Sequence, residues 1–283
     1  ISVSAFLLNR SSDLEIKLEI VGCAFEDNSC KSSGGAIASF NILKLFKTNF
    51  KRNKSFNGGA IYNYHESNVT LRDCKIRNNS GSMFAGGIYN YGVLKMDESN
   101  FTGNASRGGG AILNYGYSEI GSTDFKKNSA DFGGAIFNMV ARLIQYSTEF
   151  SSTNGEDEGL MKFADCSFGY NSANNLGGVI TNLSKCKFDK CVFGKNSAKD
   201  LAHIISNGPE RILDNEEDVK PGFNISVLTL SDCKFRIKGD VENNAVYNQR
   251  NCLLKVHSDT IINKMSPDIN NPIFLNEGEI KFI

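Results

Sequence analysis

The stretches FTGNASRGGGAILNYG (Phe101–Gly116) and FKKNSADFGGAIFNMV (Phe125–Val140) are two copies of one pattern, and it decides the fold. Each opens on Phe-x-x-Asn and runs through a polar corner into Gly-Gly-Ala-Ile-x-Asn. The Gly-Gly-Ala-Ile part recurs at Gly34–Ile37, Gly58–Ile61, Gly109–Ile112 and Gly133–Ile136, with variants at Gly86–Ile88 and Gly177–Ile180. The Phe-x-x-Asn part recurs at Phe25/Asn28, Phe50/Asn53, Phe101/Asn104, Phe125/Asn128, Phe168/Asn171 and Phe193/Asn196, with Ile76/Asn79 as a variant. Self-similarity at a fixed period is the signature of a stacked repeat architecture.

Alignment on the Phe exposes further columns. Two residues before it the chain carries only small residues, among them Cys23, Thr48, Cys74, Ser99, Thr123, Thr148, Cys166, Cys191 and Cys233. Five and seven residues before it stand mostly apolar residues, such as Leu45 with Leu43 and Met96 with Leu94. The i, i+2 spacing is the strand period, and the two-residue offset to the Phe implies a bend joining two short strands. Ala-Ile-x-Asn supplies a third strand after the Gly corner. A unit this small cannot bury its own apolar side, so copies must stack. The reading is an all-β chain, a right-handed parallel β-helix (solenoid) of about ten coils with roughly 25 residues per coil. The helix is expected over residues 1–263. An irregular coil falls near 151–159, where the Gly-Gly corner is missing, and an inserted loop near 208–222. Residues 264–283 read as a C-terminal extension or cap.

Composition narrows the function classes. Lys plus Arg (31) balance Asp plus Glu (31) in the 283 residues, which argues against nucleic acid as a partner. No apolar run reaches the roughly 18 residues of a membrane span. Gly is abundant (27), Pro scarce (4) and Trp absent, as many tight corners without helices require. The chain opens at Ile1 without a secretion signal and reads as a piece of something longer.

Most residues that look chemical have a structural explanation in the repeat. Five of the eight Cys stand in the small column, interchanging with Thr and Ser, so they read as packing residues. Cys166, Cys191 and Cys233 are neighbours in successive coils, which leaves an inter-coil disulfide open. No C-x-x-C pair exists, so neither metal nor cofactor is expected. The Asn column of Asn28, Asn53, Asn79, Asn104, Asn128, Asn171 and Asn196 reads as a structural ladder of stacked amides, as does the column through Asn63 and Asn90. Asn-x-Ser/Thr sequons occur at several positions, of which Asn78 and Asn100 are expected to face water as glycosylation sites. The three His pair with no recurring carboxylate, and no catalytic constellation is found. Acidic residues concentrate at Glu156–Glu158 and around Asp214–Asp218 and read as solvated loop charges. Two outward stripes remain for binding. The first is aromatic: Tyr62, Tyr64, Tyr89, Tyr91, Tyr115 and Phe137, which alternate with inward residues and are expected to be exposed. The second is basic: Lys51, Arg52, Arg77, Lys126, Lys127, Lys195 and Arg236.

The register of FxxN with GGAI resembles the polymorphic outer-membrane proteins of chlamydiae. It is equally similar to adhesin-like β-helix surface proteins of methanogenic archaea, and related repeat proteins occur in protists. The likeness covers about residues 18 to 200 well. It implies a secreted or surface-displayed β-helix used in adhesion or as a structural spacer. The expected function is therefore that of a non-enzymatic extracellular or cell-surface protein. Its expected partners are surface glycans or other protein chains of the same assembly. Two alternatives stay open, a carbohydrate-active β-helix enzyme and a structural subunit of an extracellular filament or envelope.

Overall fold

A computed structural model describes residues 6–7, 17–139, 159–200, 202, 204–208, 226–237, 245–249, 252–264 and 274–283. The chain is an all-β parallel solenoid, with no helix among the described residues. Three long parallel sheets run along its length, and each coil gives one strand to each in turn. One coil shows the scheme: Ile88–Asn90, then Val93–Asp97, then Asn100–Thr102. Its strands pair in register with those of the next coil, Ile88 beside Ile112, Leu94 beside Ser118 and Phe101 beside Phe125. We call the sheets, in that order, the Ile sheet, the long-strand sheet and the Phe sheet. The first two have ten described strands and the third nine. Shorter strands pair between the Phe sheet and the Gly corner, Lys54–Asn57 with Ser80–Phe84 and Ser129–Phe132 with Ser172–Leu176.

Strand alternation builds the interior. In Val93–Asp97, Leu94 and Met96 are buried while Lys95 is exposed. The Phe column stacks down the axis, with ring centroids 5.1 Å apart for Phe101–Phe125, 5.0 Å for Phe125–Phe168 and 5.1 Å for Phe168–Phe193. The separation matches the distance between hydrogen-bonded strands, so ring stacking and backbone pairing favour the same coil spacing. Each ring removed from water contributes about 1.5–3 kcal/mol.

Corners are made by residues in the left-handed region. In the coil above these are Glu98 (φ 50°), Gly103 (φ 67°) and Gly109 (φ 67°). The small column follows the first of them, and its function is now visible. The Ser99 hydroxyl donates to the Asp97 carbonyl at 2.9 Å, Thr48 to Phe46 at 2.9 Å, and the thiol of Cys166 to Ala164 at 3.2 Å. Each donor spans the strained residue and offsets part of its cost, which explains why Cys, Ser and Thr interchange. In the Gly-Gly corner the two glycines have different reasons. A Cβ on Gly110 would collide with the Gly134 carbonyl of the next coil, so a side chain at Gly110 would have to push that coil away. Gly109 is a left-handed residue whose Cβ would meet the Ile112 carbonyl of its own coil. Ala85 (φ 54°), filling the equivalent place in another coil, shows that a local adjustment accommodates it.

The Asn columns form two buried hydrogen-bonded ladders. The backbone N–H and Nδ2 of Asn104 both donate to Asn128 Oδ1 at 3.0 Å, and Nδ2 also donates to the Ile76 carbonyl at 2.9 Å. Asn104 Oδ1 in turn accepts both donors of Asn79 at 3.0 Å. Every polar site of the amide is used. A second ladder runs from Asn63 through Asn90, Asn114, Asn138, Asn182, Asn207 and Asn248 to Asn276. Its first Oδ1, on Asn63, is buried with no hydrogen-bond partner, since the preceding coil places Ser39 there.

The second ladder also closes the corner into the long-strand sheet. Nδ2 of Asn114 donates to the Gly116 carbonyl at 2.8 Å, and that of Asn138 to Gly159 at 2.8 Å. The clasp is the same whether one residue or a long segment intervenes. Residues 140–158 and 209–225 both depart from this corner. The irregular coil expected near 151–159 and the loop near 208–222 lie almost wholly in these segments, outside the described residues. Among the described residues, Phe125 pairs directly with Phe168 and Asn128 bonds directly to Asn171, so these two coils are neighbours in the stack. Within 264–283, expected as an extension or cap, Phe274–Asn276 and Glu279–Phe282 add a further in-register rung.

Two substitutions separate these contributions. Gly110→Ala should cost about 3 kcal/mol, against about 1–2 for Gly109→Ala, in urea unfolding. Equal costs would show that inter-coil approach does not limit the second glycine. Asn104→Ala should cost about 3 kcal/mol by stranding donors and acceptors in two neighbouring coils. Asn28→Ala, at the ladder's first described rung, should cost about 1 kcal/mol by the same measurement.

Candidate functional site

The aromatic stripe lies where strand alternation puts it, on the outer side of the Ile sheet. Ile61 and Asn63 face the interior, and Tyr62 between them faces away. Exposure is a different matter, and here the expectation is corrected. Tyr62, Tyr89, Tyr115 and Phe137 retain only 8%, 5%, 3% and 3% of their accessible surface. Together with Ala85, Leu113 and Leu183 they form a second hydrophobic cluster outside the main core. Tyr64 and Tyr91 are half-buried against it.

Three contacts cover the rings. Along the column, Tyr62 stacks on Tyr89 at 4.7 Å and Tyr91 on Tyr115 at 4.8 Å. Across it, Tyr62 meets Tyr64 at 4.4 Å and Tyr89 meets Tyr91 at 5.3 Å. From the Gly corner, Phe84 and Phe132 lean over the strand, Phe84 lying 6.5 Å from Tyr89 and Phe132 6.3 Å from Phe137. Gly108 makes room for them, since a Cβ there would sit 2.7 Å from Phe137 and 2.9 Å from Phe84. Burial pushes the phenols of Tyr62, Tyr89 and Tyr115 far up, so they stay neutral. This face is chiefly packing, with the half-buried rings of Tyr64 and Tyr91 and of Phe40, stacked on Tyr64 at 3.8 Å, at its rim.

The basic stripe on the Phe sheet is partly neutralised. Arg52 donates two hydrogen bonds to Asp27 at 2.6 Å and approaches Glu26 at 3.4 Å, and Lys126 pairs with Asp124 at 2.9 Å. The hydrogen bond to Arg52 holds the Asp27 carboxyl below its ordinary range. Lys195 donates to the Tyr170 hydroxyl at 3.0 Å, while Arg77, Lys127 and Arg236 stay exposed. Of the sequons, Asn78 is exposed and Asn100 half-buried, its Oδ1 accepting from the Thr102 hydroxyl at 2.6 Å.

Six of the eight cysteines are buried, and none of the eight forms a disulfide. Burial pushes the thiols of Cys74 and Cys186 up. That of Cys191, in the middle of the stack, is raised by its contacts with Cys166 and Cys233 and then by burial. Such thiols are protonated donors rather than nucleophiles. Among the described residues no group of three His, Cys, Asp or Glu side chains could hold a metal ion.

One feature escaped the sequence reading. On the long-strand sheet the central outward column reads Glu19, Lys44, Thr70, Lys95, Glu119, Lys162, Lys187, Thr229, Lys255 and Lys281 in successive coils. It stands six residues before the aligned Phe in most coils, so the same alignment contained it. Attention to columns of uniform chemistry passed over one that alternates Lys with Thr and Glu.

Residues 22–39 match the repeat of Chlamydia polymorphic membrane proteins. With the solenoid architecture, the match fits a β-helix repeat protein of the polymorphic outer-membrane type. No curated protein and no solved structure gives a significant match.

Tyr89→Ala should behave as a core truncation and cost about 3–5 kcal/mol in chemical denaturation. Tyr170→Ala, at a ring that is 54% exposed, should shift the midpoint little. A Tyr89→Ala protein as stable as the wild type would return the stripe to the surface.

Proposed function

We propose that this chain is a non-enzymatic extracellular or cell-surface rod, acting in adhesion or as a structural surface element through its outer faces. The observation that carries the reading is how the repeating polar residues are used. The Asn ladders and the small column spend their hydrogen-bonding capacity between and within coils. What recurs from coil to coil therefore builds length and stiffness, and variation falls on outward positions. The match of residues 22–39 to a membrane-protein repeat supports a surface location. A rigid rod repeats weak contacts at fixed spacing, and such contacts gain strength by multivalency.

Beads coated with the chain should adhere to cells or extracellular matrix, and the soluble chain should compete poorly against them, by about a hundredfold or more in concentration. Adhesion no greater than that of albumin-coated beads would defeat the adhesion arm of the proposal. Release of new reducing ends from polysaccharides would favour the carbohydrate-active enzyme instead.

A further inference from the structure

The outer face of the long-strand sheet carries three parallel columns of different character. The central one holds Lys44, Lys95, Lys162, Lys187 and Lys255, in register and interrupted by Thr70, Glu119 and Thr229, with Glu19 before the line and Lys281, ion-paired with Glu279, after it. Lys44, Lys95 and Lys187 are exposed and make no ion pair with a described residue. Lys162 lies 5.2 Å from the Tyr117 ring centroid and donates to its hydroxyl at 3.2 Å. Toward the Asn-clasped corner runs a mixed column in which Ile42, Val93, Tyr117, Val227 and Leu253 are half-buried, with Asn68 and Lys185 between them and Lys17 and Glu279 at its ends. Toward the opposite corner the rim is net acidic: Asp73, Asp97, Glu98, Asp165, Asp189 and Asp232 outnumber Lys47, Arg72 and Lys190, and Arg72 is paired with Glu98 at 3.2 Å.

We infer that this face is a docking strip for a linear, anionic polysaccharide, laid parallel to the solenoid axis; the inference rests on the surface reading above and names the ligand class. Three features of the strip select such a partner. Coil stacking sets the lysines at multiples of roughly 5 Å along a straight line, and from Lys44 to Lys255 the line covers roughly 34 Å. A polymer with carboxylates or sulfates at regular intervals can meet several of them at once, whereas a small anion meets one. The apolar members of the column alongside, above all the adjacent Val93 and Tyr117, give the C–H faces of sugar rings places to pack, with Lys185 adding a further positive charge. Glu119, between Lys95 and Lys162, weakens the middle of the line but leaves positive charge on both sides of it.

The acidic rim decides against a membrane surface. A plane of anionic lipid would press against lysines and rim carboxylates together, and the half-buried apolar side chains cannot reach between acyl chains. A thin chain can lie on the lysine line alone. Binding should therefore be salt-sensitive, falling steeply as ionic strength screens the contacts.

The test uses immobilised heparin and polygalacturonate as probes, with dextran as the neutral control and phosphatidylserine vesicles as the membrane arm. The wild type should bind at least one of the two polyanions in low salt, and dextran and vesicles much less. Lys95→Glu/Lys187→Glu should weaken that binding about a hundredfold, and Lys95→Ala/Lys187→Ala about tenfold. Lys75→Glu/Lys127→Glu, which makes the same change in net charge on the Phe sheet, should stay within about twofold. Equal loss in that control would reduce the strip to general charge attraction and overturn the inference. So would tighter binding to vesicles, or binding to neither polyanion. If the beads still adhere to cells while polyanions fail to bind, this inference falls and the surface reading stands. If adhesion fails as well, both fall.

Discussion

Each coil must lie one strand spacing above the last, in register, on three sides at once. Backbone hydrogen bonds in the sheets impose that distance, and a side chain at a given corner then meets its own counterpart above and below. Interior positions have no freedom to solve their polar requirements locally. Asn answers the constraint because its amide is both donor and acceptor. Asn104 takes two bonds from the coil before and gives two to the coil after, with one left for the Ile76 carbonyl. Where the column lapses, as at Ser39, the next amide oxygen is stranded.

The corners follow from the same geometry. A triangular coil of short strands needs abrupt bends, and left-handed residues provide them at an energetic cost that non-glycine positions such as Glu98 and Asp165 bear repeatedly. Hydroxyls and thiols of the small column bridge the bend and soften that cost. The Gly-Gly corner is tighter still, with one glycine chosen by conformation and the other by the carbonyl of the neighbouring coil. The Asn clasp at the third corner is indifferent to what lies between its ends. Segments of very different length are therefore accommodated there without disturbing the stack.

The repeat made the fold legible because coil-to-coil contact acts on like residues, and such selection leaves columns. The Phe stack, the Asn ladders and the Gly pair could all be placed by alignment alone. The site was harder to see. Alternation put Tyr62 and Tyr89 on the outer side of their sheet, where they are, but alternation describes one strand and says nothing of a neighbour. Phe84 and Phe132 end short strands of a separate pairing whose register shifts just before them, and they close over the rings.

The lysine line on the long-strand sheet shows the converse. Its residues were in the alignment, yet only registration of Lys95 with Glu119 and of Lys162 with Lys187 turned scattered charges into a surface. From the sequence alone came the period, the three main strands of each coil, the inward columns and the side of the sheet each residue occupies, but not the fourth short strand before the Gly corner. These depend on contacts between equivalent positions, which a repeat displays directly. The tertiary structure alone decided which outward residues reach solvent, which charges are neutralised and which stand in line. Those outcomes depend on contacts between non-equivalent positions, and no period records them.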